Sequence, residues 1–207
     1  MSKEERLREA INQKDWLGFE QLIKDGANVN VRYELKNGVG VSTPLEQAIF
    51  QGMFNFAQYL VEHGADIEAE DINGLSALSQ TIDYGNYNFA EYLIKRGADV
   101  EHKDKYGQTP LFTAIQSDTE FVDLLLENGA DIEAEDEDGN TPLLAAAKIK
   151  NFYMMKYLVE ECGAKINVEN REGGNIVTEY FDKRWEDYGI PNMYEFISFL
   201  FRNGYKP

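Results

Sequence analysis

The chain has 207 residues, with 20 Lys and Arg against 37 Asp and Glu, a formal net charge of −17 and a pI near 4.5. That balance argues against sequence-independent nucleic-acid binding, which needs Lys and Arg to neutralise phosphates, and equally against anionic membrane surfaces. A hydrophobic share of 43% is enough for a packed core, so the acidity belongs to a folded protein and not to a disordered tail.

In chain order, the start (Met1-Ser2-Lys3-Glu4-Glu5-Arg6) lacks the apolar segment of a signal peptide, and no apolar run approaches the ~18 residues of a membrane span. A soluble, cytoplasmic protein is expected. Residues 1–29 read as an N-terminal helical hairpin with Trp16, Phe19 and Leu22 facing inward. From there a five-residue phrase recurs: Gly26-Ala27-Asn28-Val29-Asn30, Gly64-Ala65-Asp66-Ile67-Glu68, Gly97-Ala98-Asp99-Val100-Glu101, Gly129-Ala130-Asp131-Ile132-Glu133 and Gly163-Ala164-Lys165-Ile166-Asn167, with glycines 38, 33, 32 and 34 residues apart. A second phrase runs between them at spacings of 33, 33, 32 and 34: Thr43-Pro44-Leu45, Ser76-Ala77-Leu78, Thr109-Pro110-Leu111, Thr141-Pro142-Leu143 and a degraded Asn175-Ile176-Val177. Two phrases sharing one period mark an all-α solenoid of stacked helical hairpins, a single domain over 1–207. Its units are expected at about 38–70, 71–103, 104–135 and 136–169, with a C-terminal capping repeat at 170–207 whose Phe196, Phe199 and Leu200 close the stack.

Each unit reads as turn, helix, loop, helix. In the unit that starts at Asp71, Asp71-Ile72-Asn73-Gly74 is a turn and Ser76 caps a short helix. A second helix carries Phe89, Ala90, Tyr92, Leu93 and Ile94, and Gly97 ends it in the left-handed region. Proline follows the cap at Thr43, Thr109 and Thr141, where no amide hydrogen is needed. Small residues (Ala48, Thr81, Ala114, Ala146) and a row of Ile11, Ile49, Ile82 and Ile115, continued by Ala147, recur at fixed positions and are expected in the core.

Thr43-Pro44-Leu45-Glu46-Gln47-Ala48, Thr109-Pro110-Leu111-Phe112-Thr113-Ala114 and Thr141-Pro142-Leu143-Leu144-Ala145-Ala146 resemble the Thr-Pro-Leu-His-x-Ala phrase of the ankyrin repeat family. The resemblance covers essentially the whole chain. The family histidine is replaced in every copy, by Glu46, Ser79, Phe112, Leu144 and Thr178, which removes an inter-loop hydrogen bond typical of the family. Three further departures stand out. The first finger, Asn30 to Ser42, is about five residues longer than the others and carries Arg32, Tyr33 and Lys36. The fourth unit is one residue short near Gln116-Ser117-Asp118, and the last inserts Trp185-Glu186-Asp187-Tyr188-Gly189-Ile190-Pro191 between its helices.

Catalysis finds no support in the motifs: there is no phosphate-binding glycine loop, no nucleophile elbow and no paired histidines at metal spacing. The acidic run Asp131 to Gly139 places glycine ninth where a calcium loop needs it sixth. Cys162, the only cysteine, can form neither an intramolecular disulfide nor a Cys-based zinc site and reads as a structural thiol. No metal or cofactor is expected.

Recognition remains. The resemblance implies partner contacts at the finger tips and on the exposed concave side of the first helices. Carried onto this chain, the tips are Arg32, Tyr33, Ile72, Asn73, Leu75, Lys105, Tyr106, Gln108, Glu137, Asp138 and Asn140, and the concave side is Phe50, Gln51, Asp83, Tyr84, Gln116, Ser117, Lys148 and Ile149. Phe50, Tyr84 and Ile149 hold equivalent positions at the end of the first helix of their units, so stacking is expected to bring them onto one face, either as a binding centre or as packing between neighbours. The acids of successive fingers (Glu68, Glu70 and Asp71, then Glu101 and Asp104, then Glu133 to Asp138) are expected to form a ridge that either holds a basic partner or is a solvated face. The function that follows is a non-enzymatic, monomeric protein-binding module that masks a basic partner surface, as an inhibitor or immunity-type protein would. The alternatives are an acidic nucleic-acid mimic built on Glu135, Asp136, Glu137 and Asp138, and small-ligand capture in the concave groove.

Overall fold

The computed structural model describes residues 1–34, 41–181 and 193–206; Lys36 and the insertion at 185–191 lie outside them. Within the described residues the chain is an all-α repeat solenoid of helical hairpins, in two compact units, Met1–Lys105 and Tyr106–Pro207. Among the described residues no helix is long and apolar enough to cross a membrane.

The first unit holds α1 (Lys3–Gln13), α2 (Trp16–Lys24), α3 (Pro44–Phe50), α4 (Phe54–Glu62), α5 (Ala77–Asp83) and α6 (Tyr87–Lys95). The long first finger contributes a two-residue antiparallel pairing, β1 (Tyr33–Glu34) with β2 (Val41–Ser42). The second unit holds α7 (Pro110–Gln116), α8 (Thr119–Glu127), α9 (Pro142–Lys148), α10 (Phe152–Lys156), α11 (Ile176–Tyr180) and α12 (Met193–Arg202). A π turn, Tyr157–Glu161, continues α10 and absorbs the extra residue behind the 34-residue spacing from Gly129 to Gly163.

The caps set where the short helices begin. The hydroxyls of Thr43, Ser76 and Thr141 accept the amides of Glu46, Ser79 and Leu144, while the buried Thr109 hydroxyl has no such partner. The isoleucine row and the small-residue row are buried, as expected. Helix α3 packs on α1 and α5 in the first unit, and α9 packs on α7 and α11 in the second. Phe19 and Leu22 are buried as expected, but Trp16 is only half-buried: its indole meets the Phe56 and Tyr59 rings edge-on at 5.0 and 5.4 Å. Phe196, Phe199 and Leu200, on α12 of the second unit, are buried as expected.

Successive fingers are tied by backbone hydrogen bonds. Lys105 N–H donates to the Asn73 carbonyl at 3.0 Å, Glu137 N–H to Tyr106 at 2.9 Å and Arg171 N–H to Asp138 at 2.9 Å. Gly74, Gly107 and Gly139, all with φ near +75°, let the neighbouring finger come this close. The shortened fourth unit lacks the positive-φ residue that joins the two helices elsewhere, such as Gly85 or Lys150; Ser117 makes the connection at φ −99°, ψ −96°.

Candidate functional site

In the first unit, α1, α3, α5 and the fingers enclose an open groove of about 940 Å³. Eight of the expected contact residues line it: Tyr33, Phe50, Gln51, Ile72, Asn73, Leu75, Asp83 and Tyr84. Phe50 is 72% exposed and Tyr84 46%, with their rings edge-to-face at 6.2 Å. Phe50 is the last residue of α3 and Tyr84 the C-cap of α5, 34 residues on, so the two are one position out of the 33-residue register, in which Asp83 is the counterpart of Phe50; they meet across neighbouring helix ends all the same. Burial, then the Asp83 and Asp71 carboxylates, hold the Tyr84 phenol above its ordinary range.

Tyr33 is a wall of this groove and not a free tip anchor. It is only 7% exposed, its hydroxyl donates to the Glu4 carbonyl at 2.8 Å, and the Arg8 guanidinium lies 5.2 Å over its ring. Burial raises its phenol well above the usual range. Arg32 is exposed beside it.

Arg8, Asn12, Ser42, Glu46, Gln47, Asp71 and Gln80 also line the groove and were not among the expected contacts. Asn12 Oδ1 accepts from Gln47 Nε2 at 2.6 Å and Gln51 Nε2 at 3.0 Å, which clamps α3 to α1. Glu46 stands where the family has histidine. At N3 of α3 it closes a capping box, with Oε2 accepting the Thr43 amide at 3.0 Å. It is 5% exposed and Oε1 has no hydrogen-bond partner. Burial raises its carboxyl above the ordinary carboxylate range; the Thr43 amide and Ser42 oppose the shift, Asp71 adds to it, and Arg32 opposes it.

A raised carboxyl pKa means that stability is fully present below the unfolded value and is lost as the pH climbs through the folded one. Glu46→Gln keeps an acceptor for the cap and removes the buried charge. It is therefore expected to melt above wild type at pH 7, with the gap closing as the pH falls toward about 4. Thermal melts across that range check it; a gap independent of pH would reject buried charge as the cause.

The second unit has a smaller pocket of about 190 Å³, lined among others by Gln108, Gln116, Asp138, Asn140, Lys148 and Ile149. Asn140 is not a surface contact. It is 2% exposed, donates Nδ2 to both Asp136 oxygens at 3.0 and 2.9 Å, and accepts from Asn170 Nδ2 at 2.9 Å. Ile149 and Tyr106 are exposed, as are Lys105, Ser117, Glu137 and Asp138. Lys105 Nζ donates to the Ile72 carbonyl within the first unit.

Many acids of the fingers are structural. Asp71 Oδ1 accepts the amides of Asn73 and Leu75, and Asp136 Oδ1 accepts those of Asp138 and Asn140; Asp136 is buried. In the Gly-Ala-Asp-x-Glu phrase, Asp66, Asp99 and Asp131 each accept the amide two residues on. The closing glutamate reaches the next repeat: Glu68 accepts the Asp99 amide at 2.9 Å and Glu133 the Lys165 amide at 2.8 Å. Glu70, Glu135, Glu137 and Asp138 are the exposed acids of the expected ridge. Cys162 is half-buried, its thiol pushed up to about 11 by burial and the Asp123 and Glu161 carboxylates, the opposite of an activated nucleophile.

A family model described as ankyrin repeats, three copies, matches residues 7–104 and again 82–170. Among curated proteins, the potassium channel AKT3 of Oryza sativa subsp. japonica is 41% identical over 69 residues, 33% of this chain and 7% of that protein. The chain thus spans a small part of that relative's length. Ankyrin repeats are protein–protein interaction modules, generally without catalytic activity of their own. With the repeated phrases, the capped helix pairs and the family match all falling on the same residues, the chain belongs to the ankyrin repeat family.

Proposed function

We propose that this protein is a non-enzymatic binding module that grips a partner protein in the groove of its first unit, and that the partner presents a basic surface. The observation that carries this reading is the exposed Phe50–Tyr84 pair set among Asp71, Asp83 and Glu46. Aromatic anchors within a polar rim are the usual make-up of a hot spot, and the net charge of −17 favours encounter with a cation-rich surface. Masking such a surface is inhibitor or immunity-type action, carried out by a cytoplasmic protein that is monomeric when free. Nucleic-acid mimicry is less well supported, because Asp136 is engaged in its own turn instead of offering charge.

Phe50→Ala and Tyr84→Ala are each expected to weaken partner binding by about 2 kcal/mol, with much smaller changes in fold stability. Affinity purification supplies the partner, and calorimetric titration with thermal melts on the same two variants reads both quantities. Loss of melting temperature at unchanged affinity would make the pair packing residues and end this reading. Affinity is expected to fall steeply with added salt; indifference to ionic strength removes the basic-partner part alone.

A further inference from the structure

We infer that α12 is a docking surface for an α-helix of a partner protein, one whose apolar face carries two bulky side chains three residues apart. Tyr194, Ile197 and Phe201 stand at i, i+3 and i+7 of α12, a single stripe of the helix, and are 88%, 41% and 76% exposed. The stripe coincides with a stacking position of the repeats. Phe54, Ala57 and Val61 hold the same places in α4, Tyr87, Ala90 and Ile94 in α6, and Phe152, Met155 and Val159 in α10 and the turn that continues it. At the middle place Ala57, Ala90 and Met155 are fully buried, and the residues on either side of it are half-buried. The chain supplies its own cover there. Phe152 is met by Phe196 and Phe199 of α12 at 5.8 and 5.5 Å, and Phe54 by Phe89 of α6 at 5.4 Å. In each case the cover is the second helix of the next repeat, with an aromatic ring at one fixed place, so a helix laid on the stripe continues the interface that α12 makes on α10.

A stacking face that meets water is expected to be polar. The first hairpin obeys this: where α4 has Phe56 and Tyr59, α2 has Gly18 and Gln21. The same trimming makes a second copy stacked head-to-tail a poor occupant, because its α2 offers no ring at either place. Two copies meeting stripe to stripe would use a pairing found at none of these junctions. Charge does not select the occupant. Residues 170–207 hold five basic and six acidic side chains, so little of the net charge of −17 lies there. On α12 itself Glu195 pairs with Lys156 at 2.8 Å and Arg202 with Glu160. The surface therefore takes its helix through apolar area, and it does not rest on the groove of the first unit being a binding site.

The probe is a fluorescein-labelled, lactam-bridged helical peptide with the sequence of residues 193–204, changed by Tyr194→Ser, Ile197→Ser and Phe201→Ser so that Phe196 and Phe199 lie on its one apolar face. Its control carries Phe196→Ala and Phe199→Ala in addition. Anisotropy titrations with the full chain are expected to show the probe binding at least about tenfold tighter than the control. Tyr194→Ala and Phe201→Ala in the full chain are each expected to weaken the probe about tenfold at an unchanged melting temperature, since both side chains are exposed. Phe50→Ala is expected to leave it unaffected, and affinity should change less than about twofold between roughly 0.1 and 1 M salt. Equal binding of the two peptides, or binding of neither, overturns the inference. Sedimentation equilibrium of the free chain reads the remaining occupants: a dimer broken by Phe201→Ala puts a second copy on the stripe, and a monomer that Ile197→Ser destabilises as a core substitution does has the stripe covered within the chain. Either result ends the inference while leaving the groove reading intact, and failure of the groove variants leaves this surface intact.

Discussion

Replacing Gly107 with alanine is expected to destabilise the second unit by about 3–4 kcal/mol, whereas the same change at Gly129 costs only about 1–2 kcal/mol. Both glycines have positive φ, +72° and +96°, so both substitutions carry the left-handed penalty of an L side chain. They differ in what a methyl group meets. At Gly129 nothing lies within 4 Å; at Gly107 it would sit 2.8 Å from the Glu137 backbone nitrogen, the donor that joins the next finger to the Tyr106 carbonyl. Relief means parting the fingers and losing that hydrogen bond. Urea midpoints of the two variants measure the contrast, and equal losses would show that the close approach is absorbed without consequence.

Phe196→Ala is expected to cost about 3–5 kcal/mol, the range for deleting a buried aromatic ring. Phe196 is 1% exposed; it stacks on Tyr180 at 4.4 Å and 10°, meets Phe181 edge-on at 5.1 Å and approaches Phe152 at 5.8 Å. Five residues along the same helix, Phe201 is 76% exposed, and its truncation is expected to stay within about 0.5 kcal/mol. Thermal unfolding of the pair separates packing from helix propensity, since both variants make the same substitution in one helix. A similar loss in both would mean that α12 does not seal this end of the core.

The repeats, the caps and the buried isoleucine row were legible because each is written in local chemistry and then multiplied by the period. Thr43-Pro44 announces a helix start without reference to any distant residue. What escaped the sequence depended on distant partners. Tyr33 looks like a finger anchor until Glu4 and Arg8, from α1, close over it. Asn140 looks like a turn tip until Asn170, thirty residues on, completes its hydrogen bonds. The glutamate of the repeated phrase reads as surface charge, yet Glu68 and Glu133 each hold an amide of the next repeat. Even so, Glu46 was visible as a departure from the family phrase, and it proved to be a buried acid in the groove.

The finger-to-finger hydrogen bonds also turn three amide protons into local clocks. Lys105, Glu137 and Arg171 each donate across one junction, so each proton can exchange with solvent deuterium only when that junction opens. In a molecule held together by neighbour contacts alone, such openings need not be simultaneous. The Lys105 proton times the parting of fingers within the first unit, and those of Glu137 and Arg171 time two separate junctions within the second. The order in which the three signals fade would trace where along the array unravelling begins.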